Sequence, residues 1–205
     1  MSRVEGRGSA GSARCWLRVT AFVIALLLSL GFAQNWQTAK SPGFVVRTAS
    51  SPDRALLPQV FEILRKARRD LSLAGLNLPQ TVTVVIHPNL KSYTDATKVP
   101  WFVIAVSDRT KNRIVTQRLR ILVERGSLER TLRHELFHLV QPEGWPRWKA
   151  EGSAMRFAGD KPTAEPIPGI SEDELNKVLA DPPDARVLAR AVATAYALVG
   201  KTSRP

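Results

Sequence analysis

Four short runs of apolar residues in the first part of the chain predict β-strands. Residues 44–48 (Phe-Val-Val-Arg-Thr) and the β-branched residues 81–86 are typical of strands, and the second run ends at His87-Pro88-Asn89, a turn-forming sequence. Residues 102–106 and 113–116 form another pair, separated by a short polar segment. This pair predicts a β-hairpin.

Apolar residues at helical spacing predict a long helix after the first strand. Ser51-Pro52-Asp53 offers an N-cap, a proline in the first turn and an early acid, and the pattern continues up to Gly75. From Leu119 the chain is predicted to be helical again, with an interruption at Gly126-Ser127 and a stop at Pro142.

The last part of the chain predicts one loop and two more helices. Residues 159–169 are rich in proline and predict a surface loop, and Ser171 to Glu174 match a capping box that opens a short helix. An alanine- and valine-rich segment from Asp184 to Gly200 predicts the last helix. Strands that come first and helices that come later favour an α+β fold, a small sheet with helices packed on one side.

The first 33 residues have the pattern of a signal peptide. Arginines precede an apolar run from Val19 to Ala33, and the run ends in Gly31-Phe32-Ala33, with small residues at the positions that a signal peptidase inspects. The run is shorter than the roughly 20 residues that a membrane-spanning helix needs. We expect cleavage after Ala33, with an uncleaved N-terminal membrane anchor as the alternative.

The expected mature chain, residues 34–205, has the length of a single domain and would be secreted or periplasmic. Cys15 is the only cysteine and lies before the apolar run, so the mature domain would have no thiol and no cysteine-rich zinc site.

The net charge is +12, of which about +9 remains after cleavage. A positive charge of this size favours binding to an anionic envelope surface or to an acidic substrate. It can also simply keep the protein soluble, and this is the preferred interpretation. No nucleic-acid motif accompanies it, which argues against nucleic acid as a partner.

His134 and His138 are the candidate metal ligands of the chain. They are four residues apart, so on a helix they differ by about 40° in direction and both imidazoles can reach one metal ion. Glu135 follows the first histidine, in the order His-Glu-x-x-His that places a general base beside the metal. The same helix can bury a leucine face while its histidines face a cleft; the leucines are Leu128, Leu132, Leu136 and Leu139.

A catalytic zinc ion usually has three protein ligands and a water, so a third ligand is needed downstream. Gln141 and Gly144 stand where another family of zinc peptidases has glycine and histidine, which excludes that arrangement. Glu151 lies on a predicted second helix whose small residues allow close approach to the first, and it is preferred over Glu143, beyond the end of the first helix. His87, the remaining histidine, is interpreted as a structural turn residue.

Two segments carry a family resemblance. Residues 131–138 read Thr-Leu-Arg-His-Glu-Leu-Phe-His, and residues 146–154 read Pro-Arg-Trp-Lys-Ala-Glu-Gly-Ser-Ala. Together they resemble the gluzincin zinc metallopeptidases of the peptidase MA-like superfamily, in which an HExxH helix is followed by a Trp-x-x-Glu-Gly-x-Ala helix. The close resemblance covers residues 126–158, and the preceding strand-helix-strand part resembles the family only in outline.

The resemblance implies a zinc site on a zincin-like active-site helix. His134, His138 and Glu151 would be the Zn2+ ligands, and Glu135 would be the general base. Family members commonly continue well past an Ala-Tyr-x-x-Val helix, whereas this chain stops soon after residues 195–199. Part of the substrate-binding wall is therefore expected to be short.

A peptidase site also needs a donor that stabilises the oxyanion. Tyr93 and Tyr196 are the only tyrosines in the chain. Tyr196 lies on the last predicted helix, where it either faces the cleft or packs among alanines and valines, and packing is the favoured interpretation.

The first hypothesis is an exported zinc-dependent metallopeptidase that hydrolyses peptide bonds in a peptide or protein substrate. The alternative is a catalytically degenerate relative that keeps zinc and serves as an envelope scaffold or binding domain. A third hypothesis is a membrane-anchored structural protein without a metal, with the uncleaved signal segment as its one membrane contact. The intact Glu135 favours the first hypothesis, and the pattern specifies neither the cleaved sequence nor the oligomeric state.

Overall fold

The computed structural model describes residues 35–202. Within this range, residues 36–202 belong to one compact unit, and none of the helices there has the length and apolar character needed to cross a membrane. The predicted signal peptide, residues 1–33 with Cys15, lies outside the described residues.

A five-stranded mixed sheet occupies the first part of the described fold. Its strands are β1 (Gln37–Ser41), β2 (Phe44–Thr48), β3 (Val82–Ile86), β4 (Ala105–Asp108) and β5 (Arg113–Thr116). They are ordered β1-β2-β3-β5-β4, with parallel pairs β2/β3 and β3/β5 in the centre and an antiparallel pair at each edge. The predicted hairpin is confirmed as β4/β5, although β4 begins later than the expected residue 102.

β1 is a strand that the apolar pattern did not predict. Its residues, Gln-Thr-Ala-Lys-Ser, are mostly exposed because the strand lies at the edge of the sheet and pairs only with β2. Pro42-Gly43 forms the turn between them, and Gly43 has a φ of 78°, a conformation that glycine adopts without a steric penalty.

Eight α-helices lie within the described residues, and most of them follow the sheet along the chain. They are α1 (Ser51–Ala55), α2 (Leu57–Leu73), α3 (Leu90–Thr97), α4 (Leu119–Glu124), α5 (Leu128–Val140), α6 (Arg147–Ala158), α7 (Glu172–Ala180) and α8 (Ala185–Thr202). One turn of 3-10 helix, Arg109–Lys111, joins β4 to β5. The protein therefore has the α+β fold that the order of elements predicts.

The predicted first helix is divided into α1 and α2 at Leu56. Its N-cap is Ser50 and not Ser51, because the Ser50 hydroxyl accepts a hydrogen bond from the backbone N–H of Asp53 at 3.4 Å. Asp53 is fully buried, and its carboxylate reaches the backbone N–H of Arg120 in α4 at 3.4 Å. α1 and α4 are thus linked through one side chain.

Two clusters of buried apolar side chains hold the helices in place. The larger lies between the sheet and helices α2 and α5 and includes Val46, Val84, Leu64, Leu132 and Leu136. The second lies among α6, α7 and α8 and includes Trp148, Leu175, Leu179, Ala191 and Ala195. Because α6 packs against both α5 and α8, the two helices that carry the candidate ligands are supported by both clusters.

Gly152 brings α6 and α8 into close contact. A Cβ atom at this position would collide with the backbone carbonyl of Ala195 and would lie 2.8 Å from a methyl group of Val199. Only glycine therefore fits this crossing, one residue after Glu151.

Candidate metal centre

α5 buries its leucines and directs its histidines to a cleft. The four leucines are buried in the core: Leu128, Leu132, Leu136 and Leu139. The side chains of His134 and His138 are 19% and 14% exposed. The helix ends at Val140, because Gln141 has the extended backbone that a residue before proline adopts.

α6 carries Glu151 to these histidines. The helix begins at Arg147 after a short loop and runs back along α5, so that Arg133 of α5 donates a hydrogen bond to the carbonyl of Phe157 at 3.1 Å. Ala150 and Gly152, on either side of the carboxylate, are both buried and small. Close helix packing therefore places Glu151 opposite the second half of α5.

Three side chains meet at one point of the cleft. The Nε2 atoms of His134 and His138 are 2.9 Å apart, and Oε2 of Glu151 lies 3.3 Å from the first and 3.6 Å from the second. One ligand atom from each of the three residues lies within 4.8 Å of the others. The structure thus brings together the three residues that the sequence analysis expected to be ligands.

The donor set and its spacing fit a tetrahedral zinc ion. Zinc binds imidazole nitrogen and carboxylate oxygen at about 2.0–2.2 Å, so its ligand atoms lie about 3.3–3.5 Å apart. The observed separations of 2.9, 3.3 and 3.6 Å bracket this spacing. Two imidazoles and one carboxylate also match the ligand class of catalytic zinc sites that leave the fourth position for water.

The pKa values of His138 and Glu151 are shifted by their mutual contact. Burial alone would lower the pKa of His138, but the charge of Glu151 and the hydrogen bond to it raise the pKa to about 9. Burial works against ionisation of Glu151, yet the positive charge on His138 and hydrogen bonds from both imidazoles hold the pKa of this carboxyl well below its usual value. The carboxylate therefore stays ionised, as a metal ligand must.

Gln141 orients His138 through the second ring nitrogen. Its Oε1 lies 2.7 Å from Nδ1 of His138, so Nδ1 carries the proton and donates it to the amide oxygen. Nε2 is then the nitrogen that faces His134 and Glu151. The sequence analysis used Gln141 only to exclude another motif and missed this contact, although a polar residue three positions after a ligand at a helix end was the available signal.

Glu135 lies beside the three candidate ligands. It is 7% exposed and lines the same cleft as the histidines. Tyr93 of α3 is fully buried, and burial together with the negative charge of Glu135 raises the pKa of its phenol. The phenol therefore keeps its proton.

The remaining candidates of the sequence analysis lie away from this point. Glu143 has a side chain that is 93% exposed, with Arg109 at 4.0 Å. His87 contacts Ser92 Oγ through Nδ1 at 2.6 Å, which agrees with a structural role. The ring of Tyr196 packs under the guanidinium of Arg156 at 4.2 Å. No tyrosine occurs among the described residues that line the cleft.

The cleft that contains the cluster has a volume of about 610 Å³. β4, one of the two edge strands of the described sheet, forms one side, and apolar side chains from α7 and α8 form another. Three arginines also line the cleft, Arg109, Arg130 and Arg147. A volume of this size accommodates a segment of peptide or a small ligand.

Comparisons of the chain with protein-family models, with curated proteins and with solved structures found no match. Its function is therefore inferred from the chemistry of this cleft.

Proposed function

We propose that this protein is an exported zinc-dependent metallopeptidase of the gluzincin type. The observation that carries the proposal is the convergence of His134, His138 and Glu151 in one cleft, with Glu135 next to them. Two histidines on one helix and a carboxylate on the next form a ligand set of the kind found in zinc hydrolases.

Zinc held by these three side chains would supply a water of lowered pKa and a Lewis acid that polarises a peptide carbonyl. Glu135 takes the proton from the attacking water and passes it to the departing amine. Gln141 holds His138 in the tautomer that leaves Nε2 free to bind a metal ion. The low exposure of Glu135 shields it from bulk water.

The shape of the cleft supports a peptide as the substrate. β4 is one of the two edge strands of the described sheet, and its residues border the cleft. An extended peptide can pair with the edge of a sheet through backbone hydrogen bonds. Apolar side chains opposite the strand provide surface for substrate side chains.

A second candidate function is a zinc-binding scaffold or binding domain that has lost catalysis. It is favoured by one observation: the described cleft lining contains neither Tyr93 nor Tyr196, so the tyrosine donor considered from the sequence is not available for the oxyanion. Without a tyrosine, the arginines that line the cleft are the cationic side chains that could donate hydrogen bonds to the oxyanion.

Replacing Glu135 by glutamine separates the two functions. The zinc content of the variant should stay near that of the wild type, because Glu135 is not part of the ligand cluster. Proton transfer by a positioned carboxylate contributes about 10²–10⁴-fold, so cleavage of a peptide library should fall by at least that order. Zinc is measured by elemental analysis, and cleavage by mass spectrometry.

His138→Ala is the matched control, since it should lose both zinc and cleavage. Equal cleavage by wild type and Glu135→Gln would contradict the proposed role of Glu135. If wild type and Glu135→Gln both retain zinc and neither cleaves any peptide, the scaffold function is favoured over the peptidase.

A further inference from the structure

The arginines of the cleft are distributed unevenly around the metal ligands. Arg109 lies in the 3-10 turn between β4 and β5, and its side chain is 37% exposed. Its nearest carboxylate is that of Glu143, at 4.0 Å on a side chain that is 93% exposed. A pair this long and this exposed contributes little, so the guanidinium of Arg109 remains available to a ligand.

Arg147 lies on the same side of the site. It is the first residue of α6, with a side chain that is 52% exposed. Its Nε atom lies 3.8 Å from Oε1 of Glu151, whose other oxygen faces the two histidines. Because Glu143 belongs to the loop between α5 and α6, Arg109 and Arg147 both lie where α5 ends and α6 begins.

The arginine at the other end of the cleft has a closer carboxylate. Arg130 lies on α5 one turn before His134. Its Nε atom is 3.0 Å from Oδ1 of Asp160, just beyond the end of α6. The cleft is therefore asymmetric in its ion-pair distances, with two arginines 3.8 and 4.0 Å from a carboxylate on one side of the ligands and the 3.0 Å pair of Arg130 with Asp160 on the other.

We propose that Arg109 and Arg147 form a carboxylate-binding subsite of the peptidase, so that its preferred substrates carry an acidic group on that side of the cleaved bond. Guanidinium groups recognise carboxylates through paired hydrogen bonds. The zinc charge would be offset by Glu135 and Glu151, and Glu143 would offset one of the two arginines, which still leaves a net positive charge on this side. The inference rests on the proposed peptidase function and specifies its substrate class.

The carboxylate has two possible sources, an acidic side chain or a free C-terminus. The test uses the zinc-loaded full-length mature protein and peptides that share one cleaved sequence. One series carries Glu, Gln or Lys at single positions on either side of the bond, and a second series ends in a free or an amidated C-terminus. We expect kcat/KM to be about 3- to 10-fold higher for Glu than for Gln at positions on one side only, and lowest for Lys.

A preference for the free C-terminus with no effect of internal Glu would assign the subsite to the terminal carboxylate. Either preference should shrink when NaCl is raised from about 0.05 M to about 0.5 M, because salt screens exposed charges. Cleavage that does not distinguish Glu from Gln, nor a free from an amidated end, would overturn the inference.

Three variants assign the preference to its residues. Arg109→Gln should reduce the ratio of kcat/KM for the Glu and Gln peptides to near one, while Arg130→Gln should leave this ratio unchanged. For Arg147→Gln we compare only the ratio of kcat/KM for the Glu and Gln peptides. The absolute kcat/KM is not used, because Arg147 also contacts Glu151 and its loss can slow cleavage of both peptides. If Arg130→Gln alone abolishes the preference, the subsite lies at the other end of the cleft.

If the wild type cleaves no peptide, the proposed peptidase function loses support, but the carboxylate subsite can still be tested by measuring peptide binding. Fluorescently labelled Glu and Gln peptides are then titrated with the zinc-loaded wild type and with Arg109→Gln. Tighter binding of the Glu peptide that depends on Arg109 supports the carboxylate subsite in the scaffold protein. Equal binding of both peptides overturns it.

Discussion

Gln141 is a side chain outside the ligand set on which metal affinity should depend. Its Oε1 lies 2.7 Å from Nδ1 of His138. Loss of such an outer contact typically lowers metal affinity by about 10–100-fold, because the ligand ring is no longer held in one tautomer and direction. We predict this loss for Gln141→Leu, measured by zinc competition with a chromophoric chelator.

Gln141→Glu is the matched variant, because its carboxylate keeps an acceptor for the His138 N–H. Its zinc affinity should stay near or above that of the wild type. Equal loss of affinity in both variants would show that Gln141 acts through the loop conformation and not through the hydrogen bond.

The two candidate carboxylates differ sharply in position. Glu151→Ala would leave only two protein ligands, so we predict a large loss of bound zinc in elemental analysis. Glu143→Ala should change the zinc content little, because Glu143 is exposed and lies outside the ligand cluster. The ligand assignment is wrong if Glu143→Ala strips the metal and Glu151→Ala does not.

Residues of the site could be predicted where the spacing along one helix determines their direction. His134 and His138 are one helical turn apart, and Glu151 was preferred because a second helix with small residues can approach the first. The contact made by Asp53 could not be predicted in this way. Its contact with the backbone of Arg120 joins positions 67 residues apart, and no local pattern indicates that an acid near a helix start will cap a different helix.

At the scale of elements, the crossing of α6 and α8 depends on Gly152. Gly152→Ala would place a Cβ against the Ala195 carbonyl and 2.8 Å from Val199 Cγ2, two groups that belong to a packed helix. We predict a loss of about 1–3 kcal/mol in the free energy of unfolding of the metal-free protein, measured in urea, because overpacking forces the helices apart. Zinc affinity should also fall, since Glu151 moves with α6.

Gly200→Ala provides the comparison. A Cβ there meets the guanidinium end of Arg156, a flexible side chain that can move aside. The substitution should be neutral or slightly stabilising, because alanine has the higher helix propensity. A stability loss at Gly200 as large as that at Gly152 would contradict the packing explanation.

Elements with a strong apolar period were predicted, and those without one were missed. α5 and its leucine face follow directly from the sequence, and the capping box at Ser171 is formed as expected. β1 was missed because its exposed residues show no alternation. α3 was missed because Tyr93 is its only buried residue, so it has no apolar stripe.

At the scale of the whole molecule, we predict that the exported protein begins at Gln34. Ala33 ends the only signal-like segment of the chain. The compact unit begins at Trp36. Cleavage after Ala33 would therefore leave every residue of this unit in the mature protein. N-terminal sequencing of exported material tests this, and a sequence that starts at Met1 or Ser2 would indicate a retained anchor.

The fold class followed from the order of elements, but the arrangement of the sheet did not. Strands that precede helices indicated an α+β domain, which the structure has. The parallel pairing of β2 with β3 and of β3 with β5 places segments from distant parts of the chain side by side. Long-range pairing of this kind depends on the whole core, which no short window of sequence contains.

The three candidate ligands come from two consecutive helices, with only residues 139–150 between His138 and Glu151. A metal ion bound here would act as a cross-link that closes a short loop, and closing a short loop costs little chain entropy. The contacts within the α5–α6 pair are local in sequence, whereas the sheet pairs distant segments of the chain. Zinc bound here would therefore fix α5 against α6 by a local link, in addition to the two apolar clusters that hold these helices.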